Sequence, residues 1–235
     1  MNTTAMAVDS LCRELEIGWG EADQRELEQE LSPYTYALFE HLDSGVEIPS
    51  HIAGAGSVCV PITRVTHPRE LFEVAEGTVK EEPYIAEEYE NYWITVHHST
   101  VPVVILLLKE VHQPLARLTD LFHRCSLDLG YRVGGNNGAY FQWNQPGFGW
   151  QLHTDDEYEG VCSRVHIPFI TTPNNIFSWA EGLDTPEEDW LLTVHLEHGR
   201  VYETRTDVPH TAINRDPDKG RLHLILDVTS EPYEA

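Results

Sequence analysis

A short motif in the second half of the sequence has the residue types and spacing of a metal site. His153 and Asp155 stand in a stretch predicted to be extended, where residues i and i+2 point to the same side. An imidazole and a carboxylate placed in this way can converge on one ion, and His210, in a tight turn that follows a strand, is the best candidate for a third ligand. Two imidazoles and one carboxylate leave three positions of an octahedral Fe(II) open, as in non-haem oxygenases. The alternative that so short a motif leaves open is a surface hydrogen bond between His153 and Asp155, with His210 an unrelated turn residue.

Cationic side chains on two predicted strands indicate an anion site. Arg221 heads a strand whose apolar face is formed by Leu222, Leu224, Leu226 and Val228, so its guanidinium lies on the other face. There it is suited to a forked hydrogen bond with a carboxylate, whereas an ordinary strand-end arginine in solvent is the alternative. Arg164 and His166 share one face of the strand 163–171, and two such groups on a core strand are costly unless an anion meets them.

The elements that must position these residues change in character along the chain. The 235 residues include 41% hydrophobic ones, enough for one large domain, or a catalytic domain with a small accessory part, with its own core. Residues 8–42 have helical spacing with breaks predicted near Gly18–Gly20 and Pro33, and a helix over 114–129 is predicted to end at Gly130. After Gly130, short alternating segments between turns predict the strands of a sandwich or barrel.

Charge and cysteine content exclude several classes of partner. Fifteen Lys and Arg against 39 Asp and Glu give a net charge of −24, which repels nucleic acid and anionic lipid. The four cysteines lie far apart without a CxxC pair, which fits neither a zinc ribbon nor a disulfide scaffold and favours a reducing cytoplasm. The first residues lack a signal-peptide pattern, and the longest apolar run, 101–108, is too short to span a bilayer. We therefore expect a cytoplasmic protein with neither a nucleic-acid nor a membrane partner.

The ordered set of motifs over roughly residues 139–230 resembles the aspartyl/asparaginyl β-hydroxylase family of Fe(II)/2-oxoglutarate dioxygenases, and the related bacterial cis-proline hydroxylases. The set is His-x-Asp, then Arg-x-His, then Pro-His-Thr-x-x-Asn, then an arginine before an apolar strand that ends in aspartate. The resemblance implies a mainly β fold with flanking helices, a double-stranded β-helix of the cupin-like jelly-roll type. Residues 1–130 would then form a helical and extended part packed on the barrel, and residues 131–235 the jelly-roll catalytic core, within one structural unit.

The resemblance also implies roles for individual residues. His153, Asp155 and His210 would bind Fe(II), with 2-oxoglutarate and O2 as cosubstrates and no catalytic residue beyond the metal ligands. Arg221 would pair with the distal carboxylate of 2-oxoglutarate. Arg164 and His166 would contact either 2-oxoglutarate or a substrate carboxylate, and Gln142 stands roughly where some relatives place a polar side chain near 2-oxoglutarate. The presence of Asp155 favours the bacterial small-molecule type of site and argues against halogenation.

The predicted substrate is a small molecule, either an amino acid or an amino-acid-derived natural-product intermediate, free or bound to a carrier, hydroxylated at an unactivated C–H bond. Trp150 and Arg205 are candidate substrate contacts; the alternatives are a core aromatic for Trp150 and a solvated loop arginine for Arg205. Two other functions remain open. One is a cupin-type isomerase or hydrolase that has no need of 2-oxoglutarate or Arg221, and the other is a non-catalytic jelly-roll binding module.

Overall fold

The computed structural model describes residues 10–43, 57–61, 85–89, 92–96, 102–105, 115–133, 139–155 and 161–233. Within these ranges the chain forms two α-helices, α1 (Glu21–Asp43) and α2 (Ala116–Leu129). The strands are β1 (Cys12–Glu14), β2 (Ser57–Pro61), β3 (Ile85–Tyr89), β4 (Tyr92–Val96), β5 (Pro102–Ile105), β6 (Tyr131–Val133), β7 (Ala139–Asn144), β8 (Val161–Ile170), β9 (Asn175–Trp179), β10 (Leu192–Val194), β11 (Tyr202–Arg205), β12 (His210–Asn214) and β13 (Arg221–Pro232). The prediction of a mainly β chain with flanking helices is confirmed.

The strands form two sheets, and the chain alternates between them. The large sheet has the order β1-β11-β8-β13-β7-β2-β5-β4-β3, with β6 also paired to β13, and the small sheet has the order β10-β9-β12. Antiparallel bridges from Gly149 to Ile213 and from His153 to His210 add the segment 149–153 beside β12. From β7 onward, successive segments therefore alternate: β7 in the large sheet, 149–153 in the small, then β8, β9 with β10, β11, β12 and β13. This antiparallel alternation is a double-stranded β-helix, so the predicted jelly roll is confirmed.

The central strand β13 explains how the sheet separates an apolar core from a polar interior. It pairs with β7 on one side and β8 on the other, and its first eight residues are all buried. Its alternate residues Leu222, Leu224 and Leu226 join the core cluster that includes leucines of α1 and α2. The intervening residues, beginning with Arg221, share a face with polar residues of β7 and β8. On that face Tyr202 of β11 packs against the small sheet, so these side chains point into the barrel.

The helices dock on the outer face of the large sheet through specific end contacts. Both carboxylate oxygens of Glu30 in α1 accept hydrogen bonds from the first turn of α2, at the N–H groups of Arg117 and Leu118, each at 2.9 Å. As predicted, α2 ends at Gly130, which adopts a left-handed conformation with φ of 72°. Two strands from the first part of the chain, β1 and β2, also join the large sheet. The division of the chain at residue 130 stays a prediction.

The predicted helix break at Pro33 is wrong, since α1 continues to Asp43. Proline removes the N–H that would bind the carbonyl of Gln29, four residues earlier. The hydroxyl of Ser32 donates to that carbonyl at 3.0 Å instead, so the helix continues without an unpaired acceptor at this point. Neither of the two helices in the described ranges combines the length and apolar character needed to cross a bilayer.

Candidate active site

Two histidines, His153 and His210, lie side by side on neighbouring segments of the small sheet. The backbone N–H groups of His153 and His210 each donate to the carbonyl of the other, at 3.1 and 2.9 Å, and the two ring centroids are 4.4 Å apart. Each Nδ1 also lies within hydrogen-bond distance of a backbone carbonyl two residues earlier, that of Gln151 at 2.8 Å and that of Val208 at 2.9 Å. Because a carbonyl only accepts, each Nδ1 carries the hydrogen and each Nε2 presents its lone pair.

Asp155 completes the arrangement. Its backbone N–H donates to the carbonyl of Thr206 at 2.8 Å. Its Oδ1 lies 3.9 Å from Nε2 of His153, and its Oδ2 lies 3.4 Å from Nε2 of His210. The three ligand atoms all lie within 4.8 Å of one another, and no second cluster of this kind occurs in the described part of the chain. The structure thus brings the predicted ligands together; neutral imidazoles and one carboxylate fit a divalent transition-metal ion. The side chain of His153 is 39% exposed, so this corner of the site is open.

Arg164 connects Asp155 to a second buried carboxylate. Its Nη1 lies 2.6 Å from Oδ2 of Asp155, and its Nε donates to Oδ1 of Asp227 at 3.1 Å. Burial alone would raise the pKa of Asp155, but the neighbouring charge of Arg164, the largest opposing cause, brings it to about 2. Burial would lower the pKa of Arg164, but Tyr140 and the two carboxylates raise it above its ordinary value. Both groups are therefore charged at neutral pH. The predicted contact of Arg164 with 2-oxoglutarate or substrate stays a prediction.

Arg221 has a different environment. Its side chain is buried, and Nη1 donates to Oε1 of Gln142 at 3.3 Å while Nη2 donates to Nδ1 of His223 at 2.9 Å. Among the described residues, no carboxylate forms an ion pair with it. Burial lowers the pKa of Arg221 to about 9, so the guanidinium is still charged at neutral pH. A buried charge without a counter-ion is costly, which makes this end of the interior a site for an anion.

Two neutral imidazoles stand beside Arg221. Because Nδ1 of His223 accepts from Arg221, its Nε2 carries the hydrogen, and this N–H is buried with no partner among the described residues. Burial, together with the charge of Arg221, lowers the pKa of both His166 and His223 well below the ordinary value. Phe177 joins the two ends of the interior, since its ring stacks on His210 at 5.6 Å and meets His166 edge-on at 5.2 Å.

The remaining predicted residues lie nearer the surface. Trp150 is half-buried, with its ring 6.0 Å from that of His153 and 5.1 Å from that of Phe148. It also packs on the inner cluster of the small sheet, so the structure supports its place in the core as well as at the open corner. Arg205 forms a two-point ion pair with Asp207, with Nε to Oδ1 at 2.8 Å. Substrate contact by Trp150 and Arg205 stays a prediction.

Sequence reasoning missed His223, Asp227 and Phe177 as interior residues. For the first two a signal was present: residues 221, 223 and 227 have the same parity along β13, so the alternation that turned Arg221 inward also turned His223 and Asp227 inward. Phe177 offered no such signal, because an aromatic residue in a short strand does not show which neighbours it contacts.

Comparisons with known proteins give only remote structural similarities. No family model matches the sequence, and no curated protein matches it. A 2OG-Fe(II) oxygenase family oxidoreductase from Burkholderia pseudomallei is 12% identical with a TM-score of 0.38, covering 78% of this chain and 91% of the other. A prolyl-4-hydroxylase from Pseudomonas putida is 14% identical with a TM-score of 0.35, covering 77% of this chain and 95% of the other. A cupin domain from Bordetella pertussis is 18% identical with a TM-score of 0.29, covering 42% and 82%. The fold is defined by the chain's own strand order rather than by similarities of this size.

Proposed function

We propose that this protein is an Fe(II)/2-oxoglutarate-dependent oxygenase. One observation carries the proposal: the same jelly-roll interior holds a converging His-Asp-His cluster and a buried guanidinium that no described carboxylate neutralises. The first feature suits a divalent metal ion, and the second suits the carboxylate of an organic anion. A cosubstrate with a metal-chelating end and a carboxylate at the other end satisfies both, and 2-oxoglutarate has this form.

The metal would be held by Nε2 of His153, Nε2 of His210 and a carboxylate oxygen of Asp155. The chain prepares these atoms before any ion arrives, because the two backbone carbonyls fix both imidazole tautomers. With 2-oxoglutarate and O2, a bound Fe(II) would supply the oxidising chemistry needed at an unactivated C–H bond.

The distal carboxylate of 2-oxoglutarate would be held by Arg221. Gln142 and His223 orient its guanidinium through their acceptor atoms, and His223 adds a buried Nε2–H donor. His166 lies between this anion site and the metal cluster, where its imidazole is a polar group lining the interior. The protein's own part in the reaction is to orient both cosubstrate ends and to exclude water from the interior.

The substrate would reach the metal from the open corner beside His153 and Trp150. From the resemblance to the aspartyl/asparaginyl β-hydroxylases we extend the proposal to a small amino acid or an amino-acid-derived natural-product intermediate, hydroxylated in the cytoplasm. Trp150 would offer an apolar wall to such a substrate.

The test is succinate formation by the purified protein with Fe(II), O2 and 2-oxoglutarate, with and without a panel of amino acids. We expect 2-oxoglutarate turnover in the wild type and its loss in Arg221→Ala, while Co(II) binding to the metal-free Arg221→Ala protein is retained. The matched control is Arg132→Ala, which removes an exposed arginine paired with Glu231 on the outside of the barrel. Metal binding without any use of 2-oxoglutarate would favour a cupin-type isomerase or hydrolase. Absence of stoichiometric metal binding would favour a non-catalytic binding module.

A further inference from the structure

We infer that Arg164 and Asp227 form a positioning pair that holds the metal-ligating carboxylate of Asp155 in place. The inference rests on the proposed function and assigns Arg164 a role other than the cosubstrate or substrate contact that the family resemblance implies. It is carried by a buried chain of two ion pairs, from Asp227 to Arg164 at 3.1 Å and from Arg164 to Asp155 at 2.6 Å.

Two adjacent strands fix the position of the pair. Arg164 of β8 lies directly opposite Asp227 of β13 in the antiparallel register, so both side chains project from neighbouring backbone positions on the inner face. The side chains of Arg164 and Asp227 are 14% and 0% exposed, so water has little access to the contact between them. Because the guanidinium is planar and rigid, a contact through Nε to Asp227 sets the direction in which Nη1 points.

Asp155 needs such an external support. Each imidazole of the cluster is oriented by a carbonyl of its own chain segment, two residues earlier. Asp155 lies beyond the last bridge of the segment 149–153, and the charged group nearest to its carboxylate is the guanidinium of Arg164, with Nη1 2.6 Å from Oδ2. The guanidinium engages Oδ2 of Asp155, and Oδ1 is the oxygen that faces Nε2 of His153. Partners of this kind, which orient a metal ligand without touching the metal, commonly change metal affinity 10- to 100-fold when removed.

Asp227 also affects the net charge of the groups beside the metal cluster. A guanidinium beside a metal-ligating carboxylate opposes the approach of a dication, because it cancels the negative charge that attracts the ion. Sharing Arg164 between Asp155 and Asp227 leaves this end of the interior with one net negative charge. The pair therefore orients Asp155 without neutralising the cluster.

The experiment is a Co(II) titration of the metal-free protein without 2-oxoglutarate or substrate, followed by the visible absorption of the bound Co(II). We expect Arg164→Lys and Asp227→Asn each to lower the Co(II) affinity about 10- to 100-fold and to change the absorption bands. Lysine keeps the charge but lacks the fork that reaches both carboxylates, and asparagine keeps the shape but lacks the charge. The matched control is Arg124→Lys, at an arginine that also pairs with two aspartates, Asp23 and Asp120, but on the helices outside the barrel, and it should leave Co(II) affinity and spectrum unchanged.

The outcomes separate this inference from the proposed function. If Arg164→Lys and Asp227→Asn bind Co(II) with the affinity and spectrum of the wild type, the pair is only a core ion pair and the inference is wrong. If the wild type itself binds no Co(II), the proposed function fails instead. Should either single variant not fold, the double variant Arg164→Leu with Asp227→Leu replaces both partners by apolar side chains. Wild-type or tighter Co(II) binding by that double variant would overturn the inference, and at least tenfold weaker binding would support it.

Discussion

Replacing Arg221 by methionine should stabilise the ligand-free protein, although the substitution removes a buried side chain that makes two hydrogen bonds. Burial lowers the pKa of Arg221 to about 9 from an ordinary value of 12.5. A pKa difference of about 3.5 corresponds to about 5 kcal/mol of unfavourable charge burial at neutral pH. Loss of the bonds to Gln142 and His223 offsets about 3 kcal/mol. The expected net gain is about 2 kcal/mol, or roughly 4–8 °C in Tm for a chain of this size.

The free energy of unfolding is measured by urea unfolding at pH 7.5, and the Tm by thermal unfolding, for the metal-free wild type and Arg221→Met. Adding Co(II) and 2-oxoglutarate should raise the Tm of the wild type but raise that of Arg221→Met no further than Co(II) alone does. The matched control is Arg164→Met, the same substitution at the other buried arginine. It leaves Asp155 and Asp227 without their shared cation and should lower stability by about 3–5 kcal/mol. A destabilised Arg221→Met protein would refute the view that Arg221 lacks a counter-ion.

Three further predictions concern other contacts of the barrel. Because His166 and His223 are held neutral in the folded state, the unfolded chain takes up their protons below about pH 6.5, and stability falls as the pH falls. In urea unfolding, the dependence of stability on pH should be weaker in the double variant His166→Asn with His223→Gln, by about 1.4 kcal/mol per pH unit at pH 6.5 and about 2.7 near pH 5, and an unchanged slope would contradict this. The two amide hydrogens of Asn214 are shared among three backbone carbonyls, at 3.2, 3.0 and 2.8 Å, so Asn214→Ala should cost about 2–4 kcal/mol in the same assay, and a cost below 1 kcal/mol would be unexpected. A Cβ at Gly220 would lie 2.8 Å from Cε2 of Trp143, so Gly220→Ala should cost about 1–3 kcal/mol, and a Tm equal to that of the wild type would show that Trp143 moves freely.

The parts of the structure that follow the alternation of side chains were accessible from the sequence. In β13 the leucines at even positions and the polar residues at odd positions define both faces, and the structure buries the two faces in different surroundings. The i, i+2 spacing of His153 and Asp155 placed an imidazole and a carboxylate on one side, and the structure places His210 opposite them. Gly130 ends α2 because only a residue that tolerates positive φ fits there.

The parts that depend on which segments meet were not accessible. Whether the partner of Arg164 is a bound anion or Asp227 is decided by the register between β8 and β13, two strands far apart in the chain. The sequence gives no sign that Ser32 would replace the hydrogen bond lost at Pro33. The orphaned Nε2–H of His223 likewise arises from its contact with Arg221, which only the folded chain shows.

The distribution of charge in the interior argues that metal and cosubstrate bind together rather than independently. Two arginines, Arg164 and Arg221, and two aspartates, Asp155 and Asp227, balance in charge within the interior, but the aspartates lie near the histidines and Arg221 lies apart from them. A dication alone would leave two positive charges uncompensated in a medium of low dielectric, and a dicarboxylate alone would leave two negative ones. Both together restore neutrality, so each should raise the affinity of the protein for the other, and the coupling should weaken when Arg221 is replaced.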